Sequence, residues 1–85
     1  LGTFFTSGPT ETRAWTIQKN CLAPEAAGKI HTDFQKGFIR AEVIAFQDYI
    51  NLKGSVNAKN EGKMRLEGKE YQVAEGDIVV FRYNV

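Results

Sequence analysis

Cysteine is nearly missing from this chain: Cys21 is the one example among 85 residues. A lone cysteine closes no internal disulfide and builds no thiolate metal site, so a reduced, cytoplasmic setting is the simplest expectation. Histidine is as scarce, with His31 alone, and one Cys with one His does not make a metal centre. No apolar run approaches the roughly 20 residues of a membrane span, and no basic start leads into a signal-like apolar stretch. A membrane partner is therefore not expected. Charge of one sign is lacking too. Eleven basic residues against ten acidic leave a net charge of +1. That excludes a polycation or polyanion and still permits a local basic face.

Catalytic motifs are absent as well. A phosphate cradle needs G-x-x-x-x-G-K-[ST], in which the last hydroxyl meets Mg²⁺. Three Gly-Lys pairs occur: Gly28-Lys29, Gly62-Lys63 and Gly68-Lys69. They are followed by Ile30, Met64 and Glu70, none of which offers a hydroxyl. The upstream glycine is replaced by Ala23, Asn57 and Lys63. No G-x-G-x-x-G fingerprint is present. Cys21 lacks the surroundings that would activate a thiolate beside His31, so its structural reading is preferred. The residues in hand point to no enzyme, no metal and no cofactor. The first residue is Leu1, not Met, and we expect the chain to be a piece of a longer protein whose activity resides elsewhere.

What is present suits one small globule: 42% hydrophobic, 12% aromatic and 25% charged residues. A chain this short supports a single domain, residues 1–85. Thr3 to Ser7 reads as a strand, stopped by Gly8-Pro9. Arg13 to Gln18 alternates, with Trp15 and Ile17 on one side, and completes a hairpin whose turn lies near Thr10-Glu11-Thr12. Pro24 and Glu25 open a helix, Ala23, Ala26, Ala27, Ile30 and Phe34 form its apolar face, and Gly37 ends it.

Phe38 to Ala45 is the clearest strand, with Ile39, Ala41, Val43 and Ala45 on one face and Phe38, Arg40, Glu42 and Ile44 on the other. Phe46, Tyr49 and Ile50 suit a short helix against the core. Met64 to Val73 reads as a hairpin turning at Glu67-Gly68. Ile78 to Tyr83, apolar and aromatic, reads as a central strand. The pattern predicts an α+β domain of ubiquitin-like type, a small mixed sheet with one main helix across it. Ile30 and Phe34 are expected to pack on Trp15, Ile17, Ile39, Val43 and Phe81.

His31 has two readings: a hydrogen-bonded residue fixing the helix end with Asp33 or Thr32, or a ligand-contacting imidazole. The structural role is preferred, with Asp33 as its companion. Among the cations, Lys29, Lys36 and Arg40 are the first candidates for an RNA or ribosome contact, because helix and following strand can bring them together. Lys63, Arg65 and Lys69 come second, since Glu61, Glu67 and Glu70 alternate with them. A solvated mixed-charge face is the plainer reading of both. The aromatics, including Phe34 and Tyr83, are assigned to the core, and any RNA contact is expected to be electrostatic.

The runs Ala26-Ala27-Gly28-Lys29-Ile30-His31-Thr32-Asp33-Phe34 and Gly37-Phe38-Ile39-Arg40-Ala41-Glu42-Val43 resemble the TGS domain, a module of β-grasp fold. Glu75-Gly76-Asp77-Ile78-Val79-Val80-Phe81 fits its closing turn and strand. With Arg13-Ala14-Trp15-Thr16-Ile17, Leu66-Glu67-Gly68-Lys69 and Phe81-Arg82-Tyr83-Asn84-Val85, the chain resembles the C-terminal domain of the YchF, or Obg-like ATPase, family. That resemblance implies a translation-associated P-loop ATPase, also described as GTP-binding. ATP or GTP with Mg would bind in a G domain outside these residues. It implies an accessory, non-catalytic module that meets ribosomes or RNA. The alternative is a ubiquitin-like protein-interaction module docking on its own G domain or on a protein partner.

Overall fold

The structure, a computed structural model, describes residues 1–7 and 12–84, with Ser7 described by its backbone alone. β1 (Gly2–Ser7) and β2 (Thr12–Ile17) form the expected antiparallel hairpin, in register from Gly2 with Ile17 to Ser7 with Thr12. The turn anticipated at Thr10 and Glu11 lies outside the described residues. β5 (Ile78–Tyr83) runs parallel to β1 and antiparallel to β3 (Phe38–Ile44). β4 (Arg65–Glu67) closes the sheet, whose order is β2-β1-β5-β3-β4. The apolar β5 is thus interior, as its composition required. This mixed sheet, crossed on one face by a helix, is the β-grasp arrangement.

α1 (Ala23–Ile30) begins as anticipated, with Pro24 in its first turn and the Glu25 carboxylate accepting the Leu22 N–H at 3.2 Å. Ala23, Ala26 and Ala27 are fully buried, and their small side chains let the helix sit close to Phe4, Ile17, Val43, Val79 and Phe81. The single helix expected to reach Gly37 is in fact two. His31 adopts extended backbone (φ −162°, ψ 141°), and α2 (Thr32–Lys36) starts after it. The cause is local: the His31 Nδ1 accepts the Asp33 N–H at 3.0 Å and caps a new helix.

The opposite sheet face carries a second cluster. Ile44, Ile78 and Ala58 are buried there, with Phe5, Tyr49, Leu52 and Met64 packed around them. α3 (Phe46–Asn51) and α4 (Ser55–Asn60) supply its outer layer. Gly54, at φ 126°, makes the corner between them, a conformation that favours glycine.

Two strand readings need correction. A β-bulge interrupts β3 between Phe38 and Arg40. It places Phe38 in the core beside Phe81, and leaves Ile39 52% exposed instead of beneath the helix. The expected hairpin from Met64 to Val73 does not form. β4 pairs with β3 instead, Ala41 opposite Glu67 and Val43 opposite Arg65. The chain after β4 runs to the start of α1, where the Tyr71 carbonyl accepts the Ala23 N–H and Val73 N–H donates to Cys21, both at 2.9 Å. Those bonds satisfy backbone groups at the helix entrance that would otherwise be stranded.

Candidate functional site

The six cations singled out by sequence do not form one patch. Lys29 and Lys36 occupy the last turns of α1 and α2 and are exposed. Both lie on the helical side of the sheet. Arg40 is on the other side: it shares a face with Glu42, which alternates with the core residues Ala41 and Val43. The anticipated trio of Lys29, Lys36 and Arg40 is therefore divided by the sheet itself.

Arg40 also has a partner. Its Nη2 lies 3.4 Å from the Glu42 carboxylate. Arg82, opposite Arg40 in the ladder, donates two hydrogen bonds to the same carboxylate, at 3.0 and 3.1 Å. Those bonds, Arg82 first, hold the Glu42 carboxyl below its usual range against the opposing effect of burial. Arg82 was missed by the sequence reading. Its position in an apolar strand, facing away from the core, was the available signal.

Arg65, in the second trio, is exposed but engaged by its neighbours. Its guanidinium stands 5.5 Å from the Tyr71 ring centre and donates to the Tyr71 hydroxyl at 3.2 Å. That hydroxyl donates in turn to Asp77 at 2.5 Å. Asp77 is 2% exposed and also accepts the Ala74 N–H at 2.9 Å, which ties the 74–77 turn. Burial, then the bond to Asp77, pushes the Tyr71 phenol up to about 12. Arg65 thus serves a structural network, while Lys63 and Lys69 stay exposed at either end of β4.

No group of three or more metal-ligating side chains occurs among the described residues. Cys21 is buried, and burial pushes its thiol up, which disfavours a thiolate nucleophile. His31 and Asp33 sit together at the α1–α2 junction, the Asp33 carboxylate 3.7 Å from Nδ1. Their geometry serves the helix cap already described.

The aromatic assignment changes most. Phe34 is only partly buried, at the edge of the core cluster, and Tyr83 is 41% exposed. Their rings stack with centroids 4.1 Å apart and planes 31° apart. The exposed His31 ring continues the row, 5.8 Å from Phe34 at 39°. Phe34 also lines an open apolar groove with Ile30, Val80 and Thr6. The Thr6 hydroxyl accepts from the Trp15 indole at 3.0 Å, and the Arg13 guanidinium lies 4.5 Å above that indole. Residues distant in sequence make this surface, so periodicity could not reveal it.

Comparison with known proteins places these features in a family. Residues 1–84 match the YchF-GTPase_C family, described as a protein of unknown function (DUF933). The chain is 59% identical over 85 residues to the ribosome-binding ATPase YchF of Escherichia coli O157:H7, covering all of this chain and 23% of that protein. It is 57% identical over 82 residues to Obg-like ATPase 1 of Bos taurus, covering 95% of this chain and 20% of that one. The solved Schizosaccharomyces pombe YchF GTPase superposes with a TM-score of 0.89 at 42% identity, over 94% of this chain and 21% of its own. The chain therefore spans less than a quarter of the length of these relatives. A match that runs through nearly every residue, in sequence and in fold, makes this chain a member of the YchF-GTPase C-terminal family.

Proposed function

We propose that this chain is the accessory, ribosome-contacting TGS module of a YchF-type P-loop ATPase. The reading is carried by the 59% identity along the whole chain to a protein named as a ribosome-binding ATPase. The exposed Lys29 and Lys36 on one side, and Lys63 and Lys69 at the β4 edge, supply cations for an RNA surface. The chain itself holds no phosphate loop, so ATP or GTP with Mg would bind in the remainder of the parent protein. Contact with RNA and work in the cytoplasm belong to the same proposal. Sedimentation of the chain with purified ribosomes tests it: the wild type should enter the ribosomal pellet at low salt, and Lys29→Glu/Lys36→Glu should do so less. Absence of the wild type from the pellet refutes the reading.

A second reading has its own support. Phe46, Ile50 and Val56 on α3 and α4 are 46%, 53% and 73% exposed. An apolar surface of this kind suits a protein partner, including the parent's own nucleotide-binding domain. Binding in trans to that isolated domain, lost in Ile50→Lys/Val56→Lys while ribosome sedimentation is unchanged, would favour it.

A further inference from the structure

We propose that the His31–Phe34–Tyr83 row is a stacking site for an unpaired RNA base. The proposal rests on the ribosome-contacting reading and names the chemistry of its contact. Three observations carry it. The rings form a surface row with planes only 31° and 39° apart, whereas the core pair Phe4 and Phe81 meets edge to face at 88°. The outer members are open, Tyr83 at 41% exposure and the His31 side chain at 59%.

The row is also held in place before any ligand arrives. His31 is fixed by the Asp33 N–H, and the Asn84 N–H donates to the Gly37 carbonyl at 2.8 Å, locking the end of α2 against the end of β5. A ligand that stacks there meets a platform whose ordering is already done. Lys29 and Lys36 bracket His31 and Phe34 along the chain, available to neighbouring phosphates. Asp33 is the acid within this stretch, and it faces His31.

The surroundings favour a base over a protein side chain. The exposed aliphatic residues Ile50, Val56 and Leu66 lie on α3, α4 and β4. Ile39 follows Phe38, the ladder partner of Tyr83, and borders the 67–71 segment. Aromatic faces with flanking cations match a base and its phosphates, and every base offers a π-face. In this proposal stacking adds to the electrostatic contact expected from the sequence.

Fluorescence anisotropy with labelled 12-mers tests the site: oligo(A), oligo(U) and an oligo(A)·oligo(U) duplex. Oligo(A) should bind more tightly than oligo(U), since purines stack more strongly, and more tightly than the duplex. Tyr83→Leu, which keeps an apolar side chain without a ring, should weaken oligo(A) binding about 5- to 100-fold, and Tyr83→Phe should bind like wild type. Independently of any variant, oligo(A) should shift the Tyr83 and Phe34 ring proton resonances upfield. Unmoved rings, equal binding of the duplex, or a folded Tyr83→Leu that binds like wild type overturns the proposal. Ribosome sedimentation separates the two readings. If wild type and Tyr83→Leu pellet equally, the stacking site falls and the ribosome reading stands. If the wild type does not pellet, the ribosome reading falls while the oligonucleotide ranking still judges the site. If Tyr83→Leu loses pelleting although no oligonucleotide binds, the row meets ribosomal protein and the RNA assignment is wrong.

Discussion

Two buried carboxylates decide much of the chain's behaviour at the scale of single residues. Asp77 satisfies the Tyr71 hydroxyl and the Ala74 N–H at once. Asp77→Ala strands both donors and should cost about 2–3 kcal/mol in urea unfolding. Tyr71 gives the same network a pH signature. Its phenol ionises at the usual 10 in the unfolded chain and at about 12 in the fold. The unfolded state therefore releases the proton first as pH rises. Stability from this group is full below pH 10 and is lost between 10 and about 12. Tyr71→Phe should remove that alkaline decline. Glu42 acts at the other end of the scale. Held below its ordinary 4.5 by Arg82 and Arg40, it contributes stability above that pH and loses it as pH falls through its folded value. Thermal midpoints of Glu42→Gln and wild type should differ at pH 7 and converge in acid. The Gly-Asp turn was visible in sequence, yet its partner Tyr71 was read as part of a hairpin that does not exist.

Two glycines at the scale of secondary-structure elements make contrasting predictions. A Cβ on Gly37 would lie 2.1 Å from the Asn84 carbonyl oxygen, which is backbone and cannot swing aside. Gly37→Ala should pry α2 from the end of β5 and cost about 1–3 kcal/mol. A Cβ on Gly28 would meet the Gln35 Oε1 at 2.2 Å, the far end of a flexible side chain, and the Gln35 Cβ at 3.3 Å, which yields only if α2 shifts slightly. The Gln35 amide can turn away, and alanine, the better helix former, offsets that small shift. Gly28→Ala should therefore stay within about 1 kcal/mol of wild type, as denaturant titration of both variants will show. The helical start was legible because Pro24 and Glu25 carry the chemistry of a first turn. Its break at His31 was not, because apolar spacing continues straight through Ile30 and Phe34.

For the whole molecule, the division of the cations by the sheet has a measurable consequence. A ligand on the helical side meets Lys29 and Lys36 but not Arg40. If three or so phosphates are engaged in all, RNA affinity should fall with salt at a log–log slope of roughly −2 to −3. Charge reversal at Lys29 and Lys36 should flatten that slope, and reversal at Arg40 should leave it unchanged while loosening the Glu42 network. Purified chain incubated with Mg·ATP or Mg·GTP should show no turnover above buffer, since its sequence carries no G-x-x-x-x-G-K-[ST] motif to hold the β- and γ-phosphates. Turnover that survives repurification would contradict the proposal that nucleotide chemistry lies outside these residues.

The residues by themselves determined the N-terminal hairpin, the start of α1, the strands that became β3 and the interior β5, and the lack of a phosphate-loop motif. Ala14 to Ile17 alternates because a half-buried strand must, and Ile78 to Phe81 is apolar because both of its faces are covered. These are local constraints, written within a few residues of where they act. Only the tertiary structure decided that β4 joins β3, that the bulge carries Phe38 into the core, and that Arg82 meets Glu42. The same holds for Tyr83 resting on Phe34. Such pairings join positions far apart in the chain. They are settled by competition among all possible partners for the same hydrogen bonds and buried area, which no local pattern records.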